Sequence, residues 1–287
     1  MYKIGKFVFE ITGIDEKYIP ENFKKFKSVD QPVYYYHIDI VDDISITHKQ
    51  FTVNKPTIKV HIDNELETRY LNLPGDTNIY AKCEEIDNQH TMILFHKNYL
   101  NLICFDTIFS SLFLLERRMY QYNHYILHSS YIVYHHQAIL FTAPSGTGKS
   151  TQASLWEKYR NIKIINGDRT LLTKEENRYY ANGWPVCGSS EICHNQSYPI
   201  MAIVMLDQGP TNEIKQLSYF DKTKRLVKEI TVNFHNQNYV NRYFEFIDQL
   251  INNIPIIHLS CTISEDAVNC LDNYLKEVVL RADKKTY

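Results

Sequence analysis

The chain has 287 residues, 44% of them hydrophobic, and a formal net charge of -2, enough apolar material for one large or two modest cores. A near-neutral balance removes any global electrostatic case for nucleic acid or an anionic membrane as partner. The six cysteines, Cys83, Cys104, Cys187, Cys193, Cys261 and Cys270, form no Cys-x-x-Cys pair, which argues for a reducing compartment and against a disulfide framework or a zinc site.

The start, Met1-Tyr2-Lys3-Ile4-Gly5-Lys6-Phe7, lacks the apolar core of a signal peptide, and no apolar run is long enough to cross a bilayer. The expectation is a cytoplasmic protein. Short β-type runs at 6–12, 32–41, 57–62, 68–73, 78–83 and 91–96 alternate with turn clusters such as Asp42-Asp43, Pro74-Gly75-Asp76 and Asp87-Asn88. This pattern predicts an antiparallel sheet or meander, a β-rich region over 1–100. The 22 tyrosines and 14 phenylalanines suit such strands better than stacking on bases. Residues 102–122 place Phe105, Ile108, Phe109, Leu112, Phe113 and Glu116 at helical spacing behind an Asp106-Thr107 start, which predicts a buried connecting helix over 101–123.

Strands predicted at 125–128, 131–135 and 137–142 lead into Ala143-Pro144-Ser145-Gly146-Thr147-Gly148-Lys149-Ser150-Thr151, followed by a helix start. This reads as a phosphate-binding loop. Gly146 and Gly148 let the backbone turn successive N–H groups onto phosphate oxygens, and the helix N-terminus adds partial positive charge. Lys149 would sit on the β- and γ-phosphates and Ser150 would offer its hydroxyl to Mg²⁺. The nucleotide-binding set is therefore Ser145, Gly146, Thr147, Gly148, Lys149, Ser150 and Thr151. Ala143 replaces the first Gly of the GxxxxGK[ST] pattern, a small change if φ there is negative.

A strand at 162–165 ends at Asn166-Gly167-Asp168-Arg169. A carboxylate at the C-terminal end of a strand near the loop is where α/β sheets hold Mg²⁺ or an acid/base, so Asp168 is the second candidate. Between strands at 179–183 and 200–206 lies a polar loop, 184–196. Its Glu191 could be a further metal ligand and its Gly188-Ser189-Ser190 amides a second anion nest, or the loop is a plain surface connection. Helices at 221–232 and 239–252, a strand at 255–259 and a helix at 264–280 complete the chain. His235, His258 and the pair His135-His136 read as surface or packing residues.

The combination of His128 fifteen residues before Ala143, the Ser145-Gly146-Thr147-Gly148-Lys149-Ser150 loop and Asp168-Arg169 after the next strand resembles the catalytic domain of HPr kinase/phosphorylase, a family related in fold to the phosphoenolpyruvate carboxykinases. The resemblance covers about 124–206 and, more loosely, the 255–259 strand and its helix. It implies an α/β fold with an HPr kinase/PEP carboxykinase-like P-loop catalytic domain over 124–287, preceded by the β-rich region. It also implies that Asp168 takes the proton of an attacking serine hydroxyl with His128 in support. The sequence departs from the family at Gly167, where an Asp-Asp-Arg turn has its first Asp, and at Thr151, where the bifunctional enzymes have Glu. Their Glu-Ile-Arg-Gly-Leu-Gly-Ile signature is absent, and Gly188-Ser189-Ser190-Glu191-Ile192-Cys193 lies roughly there. These departures point away from phosphorylase activity and from HPr as substrate; the chain looks more like the HPr-kinase-like proteins found beside peptide-modification genes, some of which phosphorylate a serine of a ribosomally made peptide such as a lasso precursor.

The expectation is thus an ATP- and Mg²⁺-dependent kinase for a serine of a peptide or protein. Asp168, His128 and Lys149 are the catalytic residues and Ser150, Asp168 and Glu191 the metal ligands. Neither nucleic acid nor membrane is expected as partner, and the oligomeric state is open, a homo-oligomer included. Two alternatives stay open: a kinase for a small alcohol such as free serine, and a nucleotide-gated binding module without transfer.

Overall fold

The structure, a computed structural model, describes residues 1–283, with side chains described as far as 277. The chain divides into two compact units, Met1–Tyr122 with Asn233–Gln237, and Asn123–Val232 with the chain from Asn238 onward. Both are built on large sheets, giving a mixed α/β protein, and no described helix is long and apolar enough to cross a membrane.

The first unit holds β1 (Tyr2–Ile4), β2 (Phe7–Thr12), β3 (Tyr34–Val41), β4 (Val53–Lys55), β5 (Ile58–Asp63), β6 (Leu66–Asn72), β7 (Ile79–Glu85) and β8 (His90–His96) in one sheet of order β1-β2-β3-β8-β7-β6-β5-β4. On β3, Tyr34, Tyr36 and Ile38 are buried while Tyr35 and His37 are exposed, the period of two that marks a strand with one covered face. The sheet is not the antiparallel meander expected, because β2–β3 and β3–β8 are parallel pairs. A short helix α1 (Glu21–Lys24) lies in the crossover between β2 and β3, and parallel neighbours require such a crossover where a hairpin cannot make them.

The single helix expected over 101–123 is two, α2 (Asp106–Ser111) and α3 (Leu115–Gln121), separated at Leu114 by a left-handed residue with φ 49° and ψ 39°. Leu112, Phe113, Leu114 and Leu115 are each no more than 2% exposed. Successive helical residues point about 100° apart, so one helix face cannot bury four in a row, and the break lets all four go inward. This unit also buries an ionic network. Arg69 pairs with Glu67 at 2.6 Å and with Glu116, Arg117 pairs with Glu67 at 3.1 Å and Glu85 at 2.8 Å, and Arg118 pairs with Glu85. His235 is a partner of this network rather than a surface residue, its Nε2 3.3 Å from Glu67 Oε1.

The second unit holds β9 (Tyr125–Tyr134), β10 (Gln137–Thr142), α4 (Lys149–Arg160), β11 (Lys163–Asn166), β12 (Arg169–Glu175), β13 (Arg178–Asn182), β14 (Ser197–Gln208), β15 (Glu213–Lys215), α5 (Tyr219–Glu229), α6 (Gln237–Asn253), β16 (Ile256–Cys261) and α7 (Glu265–Asp283). The strands expected at 125–128 and 131–135 are one strand, β9. Its first part pairs with β12 and its second with β10 and β11. The pairs β10–β14 and β14–β16 are parallel. Trp156 of α4 is fully buried in a core with Tyr134, Phe141, Val204, Leu259, Leu271 and Leu275. At about 1.5–3 kcal/mol for each large side chain removed from water, this core is what seats α4, and with it the loop, on the sheet.

Candidate active site

Strand register brings the candidate residues together. In the β9–β10 hairpin Tyr134 faces Gln137 and Ser129 faces Thr142, so one further step sets His128 opposite Ala143 at the head of the loop. The fifteen-residue spacing is the arithmetic of that hairpin. Thr142 Oγ1 donates to the His128 carbonyl at 2.9 Å and fastens the junction. On the other edge of β9, Arg169 of β12 faces His128. The turn joining β11 to β12 is tied to β9 where Ser129 N donates to Asp168 O at 2.9 Å and Ser130 Oγ to Gly167 O at 2.8 Å.

Asn166 fixes the same turn from inside. It is fully buried; its Oδ1 accepts from Asp168 N and Arg169 N, both at 2.9 Å, and its Nδ2 donates to Trp184 O at 2.8 Å and Val186 O at 3.1 Å. Those bonds use both donors and both acceptor sites of the amide, so one side chain joins Asp168 to the 184–196 loop. Gly167 meets that loop more closely still. A Cβ there would lie 2.0 Å from Ser190 Oγ, so the acid that the resembled turn carries at this place would clash with Ser190 where it now stands.

The result is one cavity of about 270 Å³ lined by His128, Ser145, Gly146, Gly148, Lys149, Ser150, Thr151 and Asp168, together with Ser189 and Ser190. Thr147 and Glu191 are not on its wall. Glu191 is exposed and ends the short Gly188–Ser190 turn in a left-handed conformation, φ 56°, so the structure does not bring it to Asp168 and Ser150 as a ligand. Gly146 and Gly148 have φ 79° and 112°, values that side-chain-bearing residues avoid. Ala143 is not among the positive-φ residues, which is why alanine is tolerated there.

The donors on the wall fit a nucleotide phosphate. Lys149 is 7% exposed, and its Nζ donates to Ala143 O at 2.8 Å and Pro144 O at 3.4 Å. An ammonium has three N–H donors, so one is left for a phosphate oxygen. Burial lowers the Lys149 pKa, while Glu229 and Asp168 oppose the shift. Among the described residues no group of three or more His, Cys, Asp or Glu is placed to hold a metal by itself. One hydroxyl and one carboxylate, Ser150 and Asp168, suit Mg²⁺, which keeps waters and phosphate oxygens in its shell instead of an all-protein cage.

His128 bridges two acids. Its Nε2 is 3.3 Å from Asp168 Oδ1 and its Nδ1 3.0 Å from Glu229 Oε2. A neutral imidazole has one N–H; two ionised carboxylates need two, so the imidazolium satisfies both. The bonds to Asp168 and Glu229 raise the His128 pKa, against burial and the nearby Lys149. The bond from His128 lowers that of Asp168, with burial opposing and Arg169 and Lys149 assisting. Arg169 Nε lies 3.3 Å from Asp168 Oδ2.

Two acids here are not evident from sequence motifs. Glu229, the last residue of α5, is 101 positions from His128 and offers no local signal. Asp207 follows the apolar run 200–206 on β14, the parallel neighbour of β10, and that pattern could have marked it. Arg225 donates to it twice, at 3.1 and 2.7 Å, and His258 Nε2 lies 2.7 Å away. His258 is thus a hydrogen-bond partner of Asp207, more specific than the packing role expected.

A family model for the SynChlorMet cassette protein ScmC matches residues 98–276, more than half of the chain and every site residue above. The chain belongs to the ScmC family. Among solved structures, this ScmC-family chain is similar to the Hpr(Ser) kinase/phosphatase from Coxiella burnetii, at 12% identity over 56% of this chain and 98% of that chain, with a TM-score of 0.31. No curated protein matches it. A likeness of that size carries no argument, and the chemistry of the ScmC-family site rests on its own geometry.

Proposed function

We propose that this protein transfers the γ-phosphate of ATP, with Mg²⁺, to a serine hydroxyl of a peptide or protein. The observation that carries the reading is the His128–Asp168 pair, 3.3 Å apart, on the wall of the same 270 Å³ cavity as Lys149 and the loop glycines. A phosphate site alone would serve a binding module. An ionised carboxylate, held and oriented beside that site, adds a proton acceptor.

Loop amides and Lys149 hold the phosphates, and Ser150 with Asp168 would hold Mg²⁺. The ion, when bound, neutralises charge on the β- and γ-oxygens. The serine Oγ forms its bond to the γ-phosphorus as the bond from that phosphorus to the ADP oxygen breaks, and the serine proton passes to Asp168. An aspartate below the usual carboxylate range is a weak base in the ground state. It suffices because the loose transition state makes the serine proton acidic late, and most of the work is positioning and charge neutralisation. His128 keeps Asp168 ionised and aimed, and Glu229 keeps His128 charged.

The test is incubation with γ-labelled ATP, Mg²⁺ and serine-containing peptides, comparing the wild type with Asp168→Asn. Label should appear on peptide with the wild type alone, while both proteins bind nucleotide. Undiminished transfer by the variant would remove Asp168 from the role. Label on free serine but on no peptide would move the acceptor to a small alcohol.

A further inference from the structure

A second cavity, of about 330 Å³, has the loop head, Ala143 and Pro144, in its wall. Its helical side is unusual. Asp221, Lys224, Arg225, Lys228 and Glu229 of α5 all line it, and their spacing of three and four puts them on one stripe of the helix. A charged stripe normally faces open water. This one keeps Asp221, Lys224 and Lys228 exposed but borders a recess whose wall also includes Met205 and Asp207 of strand β14 and the start of the phosphate loop, so the two lysines stand at its mouth.

The acids of the recess are already engaged. Asp207 takes two bonds from Arg225 and one contact from His258, Asp221 takes the hydroxyl of Ser218 at 2.6 Å, and Glu229 meets His128 at 3.0 Å. Lys224 and Lys228 are different. Among the described residues no hydrogen bond or ion pair engages either ammonium. They stand one turn apart, with Cβ atoms about 6 Å from one another, a separation that two lysine ammonium groups can close around a single carboxylate.

We infer that this recess binds a carboxylate of the acceptor, through Lys224 and Lys228, and so selects acidic peptides. The inference rests on the reading of the neighbouring cavity as a kinase site. Glu229 belongs to both: it lines the recess and touches His128, which touches Asp168. The imidazole and its two contacts separate the Glu229 edge of the recess, next to Lys228, from the proton acceptor, a gap that about two or three residues of extended chain cross at about 3.3 Å each. The carboxylate is therefore either a Glu or Asp side chain two or three residues from the target serine, or the C-terminal carboxylate of a peptide that ends that close to it.

Four fluorescein-labelled peptides separate the sources: one serine peptide with Glu two residues away, its Gln counterpart, and each of these with a free or an amidated C-terminus. Anisotropy titrations with the full-length protein and a non-hydrolysable ATP analogue would compare wild type with the double variant Lys224→Gln/Lys228→Gln. The wild type should bind one carboxylate-bearing form about tenfold more tightly than its neutral counterpart, and the double variant should lose that preference. Loss confined to Glu against Gln assigns the side chain; loss confined to acid against amide assigns the terminus. The inference is overturned if the wild type shows no preference, if the preference survives in the double variant, or if the variant loses affinity for the ATP analogue, which would place nucleotide phosphates on these lysines. Acidic selectivity that follows the lysines without phosphoryl transfer to any peptide would leave the recess assigned and overturn the kinase reading alone.

Discussion

Two clusters of mixed charge divide the labour in this protein. In the first unit the Glu67, Arg69, Glu85, Arg117 and Arg118 side chains are no more than 7% exposed, and each acid faces guanidinium groups. Burial pushes the Glu67 carboxyl up, but Arg69, His235 and Arg117 together hold it well below the usual range. In the second unit the His128 and Asp168 side chains are 25% and 26% exposed and border a cavity. The residue types are similar, and access makes the difference. The closed network spends its carboxylates on guanidinium groups away from solvent, so it ties β6, β7 and α3 together and offers no charge to a ligand. The open one keeps an ionised oxygen and an ammonium N–H at a wall that a ligand can reach.

The sharpest way to break this contrast is to remove one charge from each. Asp168→Asn should lower transfer by about 10²–10⁴-fold and leave thermal stability and nucleotide binding close to wild type, because a pair on the wall of an open cavity contributes little to folding. Arg117→Ala should do the opposite. It strips a partner from both Glu67 and Glu85 in the interior, which costs about 3–5 kcal/mol of stability, while whatever remains folded binds nucleotide normally. Thermal unfolding and labelled-ATP assays on both variants measure the four quantities. Equal loss of stability in the two would mean that the Asp168 cluster is structural as well.

A smaller effect probes how the open site is shaped. Gly167→Ala sets a methyl against Ser190, whose Oγ lies 2.0 Å from that position, and should cost about 1–3 kcal/mol as overpacking does. Ser190→Gly should be mild and should restore much of the loss when combined with Gly167→Ala, a coupling that a double-mutant cycle reads directly. Additive losses would show that Gly167 is needed for something other than room.

What the sequence could reveal follows the range over which each contact is made. The loop from Ser145 to Thr151 is local, and so is Asp168 at the end of its strand. His128 is marked in the sequence only by the family resemblance, and the hairpin register shows why its spacing from the loop places it at the site. Asn166 stands in the sequence only as the residue at which the strand ends, and the structure shows that its amide reaches Trp184 and Val186. Glu229 depends on where α5 packs, and no period or motif within α5 encodes that. The left-handed step at Leu114 was hidden for a related reason: helical spacing from Phe105 to Phe113 is real, but the run of four buried residues 112–115 overrides it. The parallel pairs of the first sheet depend on chain crossovers, which alternation within a strand does not report.

Glu229 also carries the smallest and most diagnostic effect. Glu229→Gln keeps an acceptor for the His128 Nδ1–H and removes the negative charge. The His128 pKa, raised from 6.5 by its bonds to Asp168 and Glu229, should then fall back toward 6.5. Its raised value means that the folded state holds the proton more tightly than the unfolded chain. The stability this supplies is complete below 6.5 and is lost as pH rises through the raised value, so variant and wild type should differ most in acid and converge in alkali. In kcat/KM the alkaline limb, where the imidazolium is lost, should move to lower pH. The acid limb, set by an Asp168 pKa that lies below the usual range, should stay nearly where it is, because activity there is lost only as pH falls through that depressed value. A moved acid limb with an unmoved alkaline one would mean that Glu229 acts on Asp168 directly, and that His128 is a spacer between them.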